Sequence, residues 1–132
     1  MIGLDTNVLL RYIVRDDAAQ AQAATQVIET RCSRETPGYV AQVVLAEIAW
    51  VLTRGYRYPR ESVHDVLAAL LASEDLEFQD AATARVALDR FRTGTADFAD
   101  CLIGAVHAAA GCAETVTFDR QAGKLPTHLV IR

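Results

Sequence analysis

Short strand-like runs alternate with longer helical ones along the whole 132 residues, and no other feature restricts the fold as much. MIGL at 1–4 is an apolar run of strand type, after which Thr6 is placed to cap a short helix ending at Arg11 or Tyr12. Helical spacing returns from Asp16 to Arg31, with Ala19, Ala23, Val27 and Ile28 as its apolar positions. A turn and a brief strand follow in ETPGYVA, then helical spacing from Gln42 to Leu52 that ends near Gly55, a residue suited to a C-terminal cap. Pro59 opens PRESVHDVLAALLAS, whose Val63, Val66, Leu67, Leu70 and Leu71 share one helix face. DLEFQD is a strand candidate, Ala81 to Phe91 and Ala96 to Ala110 read as helices, ETVTFD at 114–119 is the clearest strand, and THLVI at 127–131 is a further one. The expected fold is α/β: a single three-layer domain over 1–132 with a mainly parallel central sheet flanked by helices.

Bulk properties exclude several classes. No wholly apolar stretch approaches the roughly 20 residues of a membrane span, so no membrane association is expected. Met1 runs directly into the first strand-like run, which predicts no secretory leader and a cytoplasmic protein. Cys32, Cys101 and Cys112 lack metal-ligand or redox spacing and read as buried free thiols. A formal net charge of −4 argues against a general polyanion binder. Lys124 is the one lysine among the 13 basic residues, so the rest are arginines, whose forked guanidinium suits phosphate contacts.

Acidic residues fall in places that need explanation. Asp5 follows the first strand-like run between apolar flanks, which implies burial, and Asp119 ends the 114–118 strand. Ligands of open parallel sheets gather outside the carboxyl ends of strands, so these two acids are placed to meet. Glu47 has Val43, Val44, Trp50 and Val51 at its helical neighbour positions, an apolar setting that disfavours an ionised carboxylate. Asp97 and Asp100 are three apart on one helix side; Asp97 is explained by the helix dipole, Asp100 less well. Two carboxylates about 5 Å apart repel by roughly 3 kcal/mol at an effective dielectric of about 20. If Asp5, Glu47, Asp100 and Asp119 converge, they therefore require a cation, and an oxygen-only set favours Mg²⁺ or Mn²⁺, able to activate water for attack on phosphorus.

Arginines near these acids are candidate phosphate contacts: Arg11, Arg15 and Arg120, and the Arg54 to Arg60 loop, where Arg54 and Arg57 are interleaved with tyrosines able to stack on unpaired bases. His107 reads as a packed histidine.

Four blocks, LDTNVLLRYI, VVLAEIAWVL, ADFADCLIGAVHAAAGC and TVTFDR, resemble in order those of the PIN-domain nucleases, most closely the VapC-type toxins of toxin–antitoxin pairs. The resemblance implies that Asp5, Glu47, Asp100 and Asp119 are catalytic acids around Mg²⁺ or Mn²⁺, with Asp97 auxiliary. It implies that Thr6 and Asn7 support those acids and that Thr117 bonds the phosphate or an acid. It further implies an endoribonuclease acting on tRNA, rRNA or mRNA to leave 5′-phosphate and 3′-hydroxyl ends, a homodimer, and a cognate antitoxin protein as partner. Alternatives are a nuclease of the same fold in RNA maturation or on DNA, and a catalytically silent interaction module. A phosphatase of the haloacid dehalogenase type is discounted because Asn7 stands where its second acid belongs.

Overall fold

The computed structural model describes residues 1–132. Six α-helices and four short strands alternate: α1 (Thr6–Val14), α2 (Ala18–Arg31), β1 (Gly38–Val40), α3 (Gln42–Trp50), α4 (Arg60–Ala72), β2 (Leu76–Phe78), α5 (Ala81–Thr93), α6 (Phe98–Ala109), β3 (Thr115–Thr117) and β4 (His128–Val130). A π-helical turn, Val51–Gly55, extends α3, and a 3₁₀ turn, Ala122–Lys124, precedes β4. No helix is long and apolar enough to cross a membrane.

The strands are parallel, as expected, but they do not form one sheet. β1 pairs with β2 in the register Gly38↔Leu76, and Gly3 makes a single parallel bridge to Tyr39 on the other side of β1. β3 pairs with β4 in the register Thr115↔His128, as a separate ribbon. Each ladder is only three residues long, too short to define a sheet by hydrogen bonding alone, and the helices set the arrangement instead. The N-terminal segment pairs with β1 through Leu4 N–H donating to the Tyr39 carbonyl and Tyr39 N–H donating to the Ile2 carbonyl, at 2.9 and 2.7 Å, without extending into a longer ladder.

One core of 26 buried residues joins the helices to β1 and β2. Leu9, Leu45, Ile48, Leu52 and Leu67 are fully buried at its centre. Truncating any of them to Ala costs about 2–5 kcal/mol. Asp17 caps α2 by accepting from Gln20 N at 3.0 Å, and Asp80 caps α5 by accepting from Thr83 N at 3.2 Å. Gly104 lets α6 lie directly on β4, since a Cβ there would run into the His128 ring. His107 Nδ1 and Thr115 Oγ1, 2.9 Å apart, tie the same helix to β3. The opposite side of the β3–β4 ribbon, with Val116, Phe118, Leu129 and Ile131, is exposed.

Candidate active site

Asp5 stands at the N-terminus of α1 in extended conformation, and it is exposed rather than buried. The apolar flanks misled because Leu4 turns into the core while Asp5 turns out of it. Thr6 is the first residue of α1 and does not cap it; its hydroxyl donates instead to Glu47 Oε1 at 2.8 Å. Glu47 too is exposed: Val43 and Trp50, its neighbours one turn to either side, are 63% and 64% exposed, so this face of α3 looks onto a cleft and not into the core. Asp5, Thr6, Asn7 and Glu47 line a cavity of about 420 Å³, closed on one side by Trp50.

A second group is built on α6 and the loop after β3. Asp97 is the N-cap residue of α6 but makes no capping bond; its Oδ2 is 3.8 Å from the Arg54 guanidinium. Asp100 lies in the first turn, partly buried. Burial first, then the charges of Asp119 and Asp97, push its carboxyl above the ordinary range, with His128 pulling the other way. Asp119 Oδ1 accepts from the backbone N–H groups of Gln121 and Ala122, at 2.8 and 2.9 Å, which fixes the carboxylate where the chain leaves the ribbon. Thr117 Oγ1 accepts from Asp119 N at 3.0 Å, so the threonine holds the acid's backbone.

The helices that carry Glu47 and Asp100, α3 and α6, pack against each other. Ala46 and Trp50 line both the acidic cavity and a neighbouring one of about 100 Å³ that includes Arg54, Arg60, Asp97 and Phe98. As they stand, no three acidic, histidine or cysteine groups surround a single point that would hold an ion. The donors are nonetheless oxygen-only, and the charges of Asp119 and Asp97 add to the burial that raises the Asp100 carboxyl. That chemistry fits a hard divalent cation.

Arginines divide into committed and free. Arg11 is engaged by Gln20, Asp16 and the Tyr56 hydroxyl. Tyr56 also donates to Asp16 Oδ2 at 2.7 Å and makes an edge contact with Tyr58, so neither ring is the open stacking platform that the loop's composition implied. Arg57 is exposed in a left-handed conformation, φ 56°, and Arg120 is exposed beside Asp119. Arg60 donates to the Phe91 and Ala96 carbonyls and lies 3.9 Å over the Phe91 ring. Sequence reasoning missed Arg60 as a fixed wall of the site and counted Trp50 only as an apolar neighbour of Glu47. Cys112 is exposed, against the expectation for all three cysteines.

Residues 2–126 match the family described as PIN domain. The chain belongs to the PIN domain family. Within it, a VapC ribonuclease of Aquifex aeolicus (strain VF5) is 26% identical over 122 residues, covering 92% of this chain and 90% of the relative. The match spans both acidic groups, and a PIN domain gives the α/β arrangement of parallel strands and packed helices its family context.

Proposed function

We propose that this PIN domain is a metal-dependent endoribonuclease, the toxin of a toxin–antitoxin pair, acting as a cytoplasmic homodimer and restrained by a cognate antitoxin. One observation supports this above the others: Asp100, partly buried, feels the charges of Asp119 and Asp97, while Thr6 holds the Glu47 carboxylate in the cavity that Asp5 also lines. A cation beside Asp100 would offset the mutual repulsion of these carboxylates.

Mg²⁺ or Mn²⁺ would be held by Asp5, Glu47, Asp100 and Asp119, with Asp97 auxiliary, and would supply charge neutralisation at phosphorus and an acidified water. The chain's own residues do the rest. Thr6 fixes one Glu47 oxygen and leaves the other free; Asn7 offers an amide beside Asp5; Thr117 holds the Asp119 backbone. Arg54, Arg57 and Arg120 offer exposed charge for the phosphates that flank the cut.

The test is cleavage of end-labelled total RNA by the purified protein with Mg²⁺ or Mn²⁺, against EDTA and against Asp5→Asn. New 5′-phosphate ends that vanish in both controls are the expected result. Cleavage unchanged by EDTA or by the substitution would overturn it.

A further inference from the structure

Trp50 is the chain's one tryptophan, and it is left 64% exposed at the end of α3. An indole buries a large apolar area when it is packed, so leaving it in water forgoes stability that the neighbouring core could have supplied. Its position is specific. Trp50 separates the cavity of Asp5 and Glu47 from that of Arg54 and Asp97 and forms part of the wall of each. Ala46, one helical turn back, places only a methyl group beside it.

The charges around the indole narrow the occupant. Arg54 is bound to Asp97 only through a 3.8 Å contact between two side chains that are each more than half exposed, so it swings away at little cost. Arg60 is fixed by two backbone carbonyls and forms a rigid wall. An apolar protein segment seated here would desolvate Arg54 and Asp97, which share only their 3.8 Å contact, and would give neither a hydrogen bond. An unpaired nucleobase brings a π face for the indole, polar edges for the rim and a phosphate for Arg54.

We infer that Trp50 is the platform on which a base next to the cleaved phosphate stacks, with Arg54 on the adjoining phosphate, so that Trp50 selects unpaired RNA. The inference rests on the nuclease reading above. Stacking of this kind predicts that Trp50→Ala lowers kcat/KM on single-stranded RNA by about 10- to 100-fold, while Trp50→Phe stays within about 3-fold of the parent.

Because there is one indole, its emission reports the contact directly. The Asp100→Asn full-length chain, with Mg²⁺ present, is titrated with a labelled single-stranded oligoribonucleotide, and anisotropy and tryptophan emission are followed together. Quenching that saturates with binding, and that an abasic oligomer of equal charge does not produce, is expected. Binding without quenching overturns the platform, as does Trp50→Ala cleaving at the parental rate. Dissociation of a dimer by Trp50→Ala also overturns it, assigning the indole to contact with a second copy. Absence of both RNA binding and parental cleavage removes the nuclease reading, and this inference with it.

Discussion

The Thr6 hydroxyl reaches across from the start of α1 to Glu47 Oε1 on α3, 41 residues later in the chain, and spans 2.8 Å. Thr6 is buried while Glu47 is exposed, so the rigid partner orients the mobile one. Thr6→Val preserves shape and removes the donor. We expect RNA cleavage to fall by about 10- to 100-fold, with stability lowered by only about 1 kcal/mol. Thr6→Ser restores most of the activity. Cleavage and urea melts on both variants check this, and parental cleavage in Thr6→Val would remove the orienting role.

Asp100→Asn separates activity from stability. The carboxyl it removes is held above its ordinary range by burial and by Asp119 and Asp97, so neutralising it relieves repulsion and raises Tm in EDTA. Cleavage falls by at least about 100-fold. Mg²⁺ raises the Tm of the parent more than that of the variant, because a ligand of the ion is missing. Thermal melts with and without Mg²⁺ read both signs.

The Arg11–Asp16–Tyr56 cluster links the start of the chain to the loop after α3 and gives stability two pH edges. The Tyr56 hydroxyl and then Arg11 hold the Asp16 carboxyl below its ordinary range. Its contribution is therefore present above the usual Asp range and is lost as pH falls through the lowered value. Asp16, as acceptor, pushes the Tyr56 phenol up. That contribution is present below the usual tyrosine range and is lost as pH rises through the raised value. Tyr56→Phe should weaken the acid edge and abolish the alkaline one, leaving the neutral plateau lower but flat. A Tm series against pH tests this.

Thiol chemistry distinguishes the three cysteines. Burial pushes the Cys101 thiol up to about 11, and it has no exposed surface. Cys32 is buried too, whereas Cys112 is exposed. A thiol-reactive chromophore near neutral pH should therefore label one cysteine per chain quickly, and the other two only after denaturant is added. Cys112→Ser abolishes the fast phase.

Gly104 lies against the His128 ring of β4. Gly104→Ala drives a methyl group into the His128 ring and costs about 1–3 kcal/mol, despite alanine's better helix propensity. His128→Ala in the same chain recovers much of that loss. A double-mutant cycle by urea unfolding measures the coupling.

Element identity was legible in the sequence wherever a period or a cap carried it. PRESVHDVLAALLAS forms α4, and ETVTFD and THLVI contain β3 and β4. Continuity of the sheet was not legible, because strand propensity says nothing of which strands pair, and β1–β2 and β3–β4 form separate ribbons. Asp5 and Glu47 drew notice because their apolar neighbours implied burial, and both are exposed. Apolar neighbours in a helix do not reveal whether the shared face meets the core or a cleft, and Val43, Glu47 and Trp50 together face outward. The Arg11–Asp16–Tyr56 cluster joins side chains up to 45 residues apart and leaves no local pattern to read.

The π-helical turn at Val51–Gly55 closes with Tyr56 N–H donating to the Val51 carbonyl at 3.1 Å, one residue wider than an α-turn. Removing one residue there, Thr53 for instance, lets ordinary α-helical bonding resume while turning Arg54 and Tyr56 by about 100° around the axis. The pairing of Arg54 with Asp97 and of Tyr56 with Asp16 thus depends on a count of residues as much as on their kinds. In this stretch a single-codon deletion would alter the site's electrostatics more than most substitutions, without cutting a helix or a loop.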